Sequence, residues 1–129
     1  MLFNLDLAPM NMAAKIRQVG HVTIVDISGR IVLGEECASL GKLVNELLGK
    51  GHIRILLNLA DVHRIDTAGL AYILSGLTSA RKRNGDLKLL NPGKEFQAVL
   101  EITRMLSILE ISYDEAMAVK SFTESAKAT

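Results

Sequence analysis

The feature that most constrains the fold is a nearly continuous apolar run at residues 53–59, interrupted by a single arginine and a single asparagine. The run has the length of a strand, and its apolar residues do not alternate with polar ones. Such a pattern is typical of a strand that is covered on both faces. We therefore expect this segment to be a central strand of a sheet that carries helices.

An opening pair of strands and a helix are predicted before this run. β-branched residues alternate with polar ones over residues 15–29, and Gly20 and His21 lie between the two halves, which indicates two adjacent strands joined by a tight turn. Residues 36–50 instead place their apolar side chains at helical spacing, and Gly51 follows. This segment is predicted to be an amphipathic helix.

Helices and strands continue to alternate after the central strand. A polar connector is expected at residues 60–66. The predicted elements beyond it are a helix marked by apolar residues over 70–77 that ends within 81–85, a strand at 86–90, a turn at 91–93, a helix at 96–103, a short strand at 108–111 and a helix at 113–122.

This order of elements predicts an α/β fold with a mixed β-sheet of four to five strands, about four helices packed on it, and mostly parallel crossovers. We expect a single domain at residues 15–122. Residues 1–14 are predicted to be an N-terminal lead, and residues 123–129 a C-terminal tail.

Composition excludes several classes of function. The 129 residues are 49% hydrophobic and 22% charged, which suits one compact core. The net charge of +1 leaves no basic surface for nucleic acid. Cys37 is the single cysteine, no secretory signal is visible, and the longest apolar stretch, residues 68–77, is too short to span a membrane. A cytoplasmic protein without direct membrane insertion is expected.

Few residues match the pattern of a catalytic or cofactor site. Gly93 and Lys94 lack the upstream glycine spacing of a phosphate loop, and Glu95 occupies the place of the magnesium-binding hydroxyl, which favours a turn before a helix. Cys37 lies on an apolar helix face, where a small buried side chain is common. The sequence therefore predicts no enzyme activity and no cofactor.

The other polar candidates also have structural explanations. Glu35 and Glu36 precede a helix whose N-terminus favours negative charge. The three histidines match no dense set of metal ligands and are interpreted as solvated loop residues (His21, His52 and His63). No metal site is expected.

One remaining stretch stands at the start of the helix that follows the central strand: Asp66, Thr67, Ala68, Gly69 and Leu70. Asp66 or Thr67 can act simply as the N-cap, whose oxygen accepts a bond from an unpaired backbone N–H. A phosphate on Thr67 would also meet such N–H groups and the positive end of the helix dipole. It would add about −1.5 to −2 charges beside Gly69 and Leu70, where we expect a small apolar surface for a partner.

Several segments resemble the STAS domain of anti-sigma factor antagonists, in which Asp-Ser/Thr-x-Gly-Leu opens a helix. The resemblance is carried by residues 55–62 and 65–70. Residues 27–31 are similar to the family's strand-ending Gly-x-Leu segment, and residues 87–92 to its later strand and turn. The similarity extends over residues 15–122.

The resemblance implies a switch that is not an enzyme. The family's anti-sigma factor is also an ATP-dependent serine/threonine kinase, which the unphosphorylated antagonist sequesters, so that sigma factor is freed. Phosphorylation of the residue at the position of Thr67 releases the kinase, and a phosphatase resets the switch. The residues implied in partner binding are Asp66, Thr67, Ala68, Gly69, Leu70, Gly34 and Glu35.

The resemblance leaves alternatives open. Many antagonists have serine at the position of Thr67, and the family often has an aspartate after the Gly-x-Leu segment, which Glu35 can replace after a one-residue insertion or which can be absent. STAS subunits of lipid-transporting ABC complexes also resemble Asp-Thr-x-Gly-Leu-Ala, and they bind the transporter ATPase. Stressosome-like scaffolds and small-ligand STAS modules are further alternatives. The long similarity over residues 87–122 favours the antagonist, and the sequence leaves the oligomeric state open.

Overall fold

A six-stranded mixed sheet runs through the part of the chain that the structure describes, residues 4–6 and 12–128 of a computed structural model. Its strands lie side by side in chain order. They are β1 (Asn4–Asp6), β2 (Met12–Val19), β3 (Val22–Ile31), β4 (Arg54–Ile65), β5 (Asp86–Leu90) and β6 (Ile111–Ser112). The first three strands pair antiparallel, and β3 to β6 pair in parallel.

Helices cover both faces of this sheet. Within the described residues they are α1 (Glu35–Gly49), α2 (Thr67–Lys82), α3 (Lys94–Thr103) and α4 (Glu115–Ala128). Buried residues of α1, α2 and α3 share the main core on one face, which we call the front face. Ala118 and Phe122 of α4 pack in a second cluster on the opposite, back face. The predicted α/β class with a mixed sheet and about four helices is confirmed.

The apolar run at the centre of the sequence is a central strand, as predicted. Ile55, Leu56 and Leu57 are fully buried. Ile55 and Leu57 belong to the main core, whereas Leu56 belongs to the cluster under α4. Both faces of β4 are therefore covered, which explains why its apolar residues do not alternate with polar ones.

The predicted connector at residues 60–66 is wrong, because β4 continues to Ile65. Strand β3 runs to Ile31, and the two strands remain paired up to their ends. The ladder is irregular between Asp26 and Ser28 and again between Gly29 and Arg30, where β4 contributes an extra residue each time. Such bulges interrupt the two-residue alternation of side chains along a strand, so the sequence pattern does not indicate a strand here.

The bounds of the strands and helices near the two ends of the chain differ from the predicted bounds. Strand β2 begins at Met12, and β1 pairs with it at the edge of the sheet. The last strand is Ile111–Ser112 rather than residues 108–111, and α4 continues past residue 122 to Ala128. Residues 1–3, 7–11 and 129 lie outside the described residues, so the division into a lead, a domain and a tail stays a prediction. Among the described helices none is long and apolar enough to cross a membrane.

Candidate functional site

The helix α2 begins at Thr67, and Asp66 is its N-cap. The backbone of Asp66 is extended, with φ −118° and ψ −177°, and its Oδ1 accepts a hydrogen bond of 2.9 Å from the N–H of Gly69. This is the usual geometry of an aspartate cap, in which the side chain binds the third residue of the helix. Of the two residues that the sequence allowed as cap, the structure therefore selects Asp66.

The second carboxylate oxygen of Asp66 binds the loop between β3 and α1. Its Oδ2 accepts a hydrogen bond of 3.0 Å from the N–H of Leu33, and the N–H of Asp66 donates to the carbonyl of Ile31 at 3.4 Å. Burial raises the pKa of this carboxyl, but the N–H groups of Leu33, Gly69 and Ala68 outweigh burial and lower it below the ordinary value. Asp66 is thus held as an anion between the β3–α1 loop and the first turn of α2.

The loop that Asp66 holds presents an apolar side chain to the surface. Leu33 is 76% exposed. Gly34 follows with φ 124° and ψ −146°, a conformation that requires glycine, and it is the N-cap of α1. Sequence reasoning singled out Gly34 and Glu35 but missed Leu33. An apolar residue between the strand end and a glycine was the signal that could have found it.

Gly69 and Leu70 are buried, so the apolar surface expected at these two residues is wrong. An added Cβ at Gly69 would overlap the carbonyl oxygen of Ile31 and lie 2.9 Å from Cγ1 of Ile65. Leu70 is only 3% exposed and belongs to the main core. Gly69 lets the first turn of α2 pack closely against the end of β3. The exposed apolar side chain of this region is that of Leu33, not that of Leu70.

Thr67 is the first residue of α2, and its side chain is exposed. Its hydroxyl makes no hydrogen bond to any residue that the structure describes. The expectation that a phosphate here would meet free N–H donors needs correction, because the N–H groups of Gly69 and Ala68 already face the Asp66 carboxylate. A phosphate on Thr67 would instead lie next to an existing negative charge.

The N-terminus of α1 adds further acidic residues to this region. Glu35 is exposed and Glu36 is half-buried in the first turn. Cys37 is 1% exposed, and burial together with the charges of Asp66 and Glu36 raises its thiol pKa to about 11. Negative charges from the starts of both helices, Glu36 of α1 and the cap Asp66 of α2, therefore act on the same thiol. Cys37 itself is a buried thiol and not a reactive nucleophile.

The other candidates from the sequence lie apart from this site. Gly93 caps α3 and Lys94 begins it, which confirms the predicted turn and helix start. His21 lies in the turn between β2 and β3, Nδ1 of His52 lies 3.4 Å from the hydroxyl of Thr23, and His63 is an exposed residue of β4. Among the described residues no group of three or more histidine, cysteine, aspartate or glutamate side chains could hold a metal ion.

Comparisons of the sequence and of the fold find relatives among known proteins. The family model of the STAS domain matches residues 13–118. The chain is 39% identical over 70 residues to a candidate anti-sigma factor antagonist of Thermotoga neapolitana, an alignment that covers 54% of this chain and 61% of that relative. The chain thus spans less than two thirds of the relative's length.

Solved structures extend the similarity to most of the chain. The crystal structure of a candidate anti-sigma factor antagonist from Thermotoga maritima has a TM-score of 0.75 and 27% identity, and the match covers 84% of this chain and 92% of that one. The unphosphorylated anti-sigma factor antagonist SpoIIAA has a TM-score of 0.65 at 14% identity, with 84% and 96% covered. At that identity the likeness to SpoIIAA shows the fold alone.

Proposed function

Because the chain belongs to the STAS domain family, we propose that it is an anti-sigma factor antagonist whose binding is controlled by phosphorylation of Thr67. Unphosphorylated, it sequesters an anti-sigma factor that is also a serine/threonine kinase. The kinase transfers the γ-phosphate of ATP to the Thr67 hydroxyl, the complex dissociates, and a protein phosphatase later removes the phosphate. The chain is a substrate and a competitor in the cytoplasm, not an enzyme.

The observation that carries this proposal is the exposed, unbonded hydroxyl of Thr67 on a firmly held helix start. Asp66 takes the capping role, so Thr67 is not needed to satisfy the helix. Gly69 keeps the first turn of the helix against β3. A kinase can therefore reach an acceptor that is fixed in space, and modification of that acceptor leaves the fold intact.

The surface around Thr67 indicates which chemical groups the kinase must present at the interface. Leu33 presents a large exposed apolar side chain, which is suited to a pocket on a partner. Asp66, Glu35 and Glu36 place negative charge beside it. We propose that the partner contributes an apolar pocket with a basic rim, because complementary charge raises the rate of association and selects among partners.

The same surface explains how phosphorylation would release the partner. The phosphate adds about −1.5 to −2 charges at Thr67, next to the Asp66 carboxylate. Burying so many negative charges in an interface costs free energy unless each is paired. Because neither Leu33 nor the cap has to move, binding is lost without unfolding.

Mass spectrometry after incubation with the cognate kinase and magnesium ATP tests the proposed chemistry directly. We expect the mass of one phosphate on the peptide that contains Thr67, and no such gain in Thr67→Ala. Phosphate on another residue, or none, would contradict the proposed acceptor.

Binding measurements with the same kinase test the switch. Thr67→Ala should keep the affinity, and Thr67→Glu should weaken it by about tenfold or more. Thr78→Glu is the matched control, because Thr78 is exposed on the same helix but lies far from its start and bonds to the carbonyl of Leu74. Equal affinity of the alanine and glutamate variants at Thr67 would sink the proposed mechanism.

A further inference from the structure

Two arginines lie side by side on the back face of the sheet. Arg30 of β3 and Arg64 of β4 are direct partners in the parallel ladder. Ile31 and Ile65, the next pair, belong to the main core on the front face. Because successive residues of a strand point to opposite faces, Arg30 and Arg64 point to the back face, at the end of the sheet where α2 begins.

Neither arginine has an anionic partner within the described residues. Asp61 pairs with Ser28, two residues before Arg30 on β3, yet it makes no ion pair with either arginine. Asp26, two residues before Ser28 on β3, already binds Arg17 and Asn58. No described residue therefore neutralises the positive charges of the two guanidinium groups.

The buried position of the Arg30 Nε means that the lack of a partner destabilises the fold. Its Nε is buried and meets no hydrogen-bond acceptor among the residues that the structure describes. A buried donor without an acceptor destabilises a fold, more so when the group is charged, and nearly all such groups in proteins are satisfied. Like charges at directly opposed positions of neighbouring strands add repulsion.

An oxyanion bound between the two side chains would relieve both effects. Arginine presents planar, parallel N–H donors that match the paired oxygens of carboxylate or phosphate. The bulge between Gly29 and Arg30 fixes how the pair is aimed, and bulges commonly re-aim side chains beside functional sites.

We propose that Arg30 and Arg64 form a binding site for an oxyanion, a carboxylate or a phosphate, on the sheet face opposite α2, the helix that carries Thr67. The site does not depend on the proposed switch, because it uses neither Thr67 nor Asp66. Its ligand is either a free phosphate-bearing molecule or an acidic side chain of another protein, and the two sources share the same recognition chemistry.

NMR of the arginine Nε–H groups in the full chain tests this site. One titration uses inorganic phosphate and a second uses a glutamate-rich peptide, both at constant ionic strength. We expect the Nε–H signals of Arg30 and Arg64 to shift together. Arg30→Gln or Arg64→Gln should weaken the binding by about tenfold, whereas Arg104→Gln, the same change at an exposed arginine outside the sheet, should leave it unchanged.

The two titrations separate the sources of the ligand. Tighter binding of phosphate assigns the site to a phosphate-bearing molecule, and tighter binding of the peptide assigns it to an acidic protein surface. Thermal unfolding offers a second readout, because phosphate or peptide should raise the midpoint of the wild type but not of Arg30→Gln. Unshifted Nε–H signals in both titrations, or equal affinity in Arg30→Gln, Arg64→Gln and the wild type, would overturn the proposal.

Discussion

The carboxylate of Asp66 accepts the N–H of Leu33 at 3.0 Å, across 33 positions of the chain. One side chain thereby joins the start of α2 to the loop that precedes α1. The exposed side chain of Leu33 and the hydroxyl of Thr67 are thus anchored to the same residue. A partner that binds both meets a preformed surface, which reduces the entropic cost of association.

Replacement of the cap should cost more stability than replacement of the proposed phosphate acceptor. Asp66→Ala removes the bonds to Gly69 and Leu33 and should lower the free energy of unfolding by about 1–2 kcal/mol. Thr67→Ala, its neighbour and control, should change it by less than about 0.5 kcal/mol, because Thr67 is not the cap. Urea unfolding at neutral pH compares the two, and a larger loss in Thr67→Ala would contradict the capping assignment.

The Asp66 cap should also make stability depend on pH at the acid end. The carboxyl pKa is lower in the folded chain than in the unfolded one, so the stabilisation is complete above the unfolded value and is lost as pH falls through the folded value. Asp66→Asn lacks this titration. The difference in unfolding free energy between wild type and Asp66→Asn should shrink as the pH is lowered from neutral into that range. A difference that stays constant would argue against the ionised cap.

Gly69→Ala should destabilise the fold by about 2–3 kcal/mol, because its Cβ would meet the backbone oxygen of Ile31, which cannot move aside as a side chain can. Gly49→Ala is the matched control. It lies at the end of α1, where an added Cβ meets nothing within 4 Å, so it should be neutral or slightly stabilising. Equal unfolding midpoints of the two variants would show that close packing at Gly69 is unimportant.

The ion pair between Arg17 and Glu115 should have a measurable coupling energy. Arg17 Nη1 lies 2.9 Å from Glu115, and its Nε lies 2.7 Å from Asp26, so the guanidinium is held on two sides. Because the side chains of Arg17 and Glu115 are 33% and 41% exposed, a double-mutant cycle with Arg17→Ala and Glu115→Ala should give about 0.5–1 kcal/mol.

A second ion pair provides the control for this cycle. Arg81 and Asp86 meet at 3.4 Å through one contact, and the Arg81 side chain is 57% exposed. The same cycle on that pair should give a coupling energy near zero. The prediction fails if the two cycles give the same value.

Cys37 should resist thiol reagents while the chain is folded. It is 1% exposed, and burial together with the Asp66 and Glu36 charges raises its pKa to about 11, so little thiolate forms under mildly alkaline conditions. Absorbance of a chromogenic disulfide reagent should show slow reaction in buffer and rapid reaction in urea. Rapid labelling of the folded chain would contradict the burial of this thiol.

Local patterns predicted most of the fold, because periodicity and turn chemistry reside in short stretches of sequence. The amphipathic period placed α1, and the apolar run placed the buried half of β4. The far half of β4 has the sequence pattern of a connector, because its bulges are set by pairing with β3, which lies more than 20 residues earlier in the chain.

The candidate site was only partly predictable for a similar reason. The position of Thr67 at a helix start follows from the pattern around it. The burial of Gly69 and the exposure of Leu33 depend on how α2 packs against the end of β3, a contact between distant parts of the chain. The pairing of Arg30 with Arg64 depends on the register of two strands, which no local pattern fixes.

The contact between Arg17 and Glu115 has a consequence for how the chain folds as it is made. The two residues are 98 positions apart, so they cannot meet before α4 has left the ribosome. Until then the apolar back-face residues Ile24 and Leu56 lack their cover from α4. The nascent chain therefore exposes this patch until α4 emerges, and during that interval a chaperone can bind the patch.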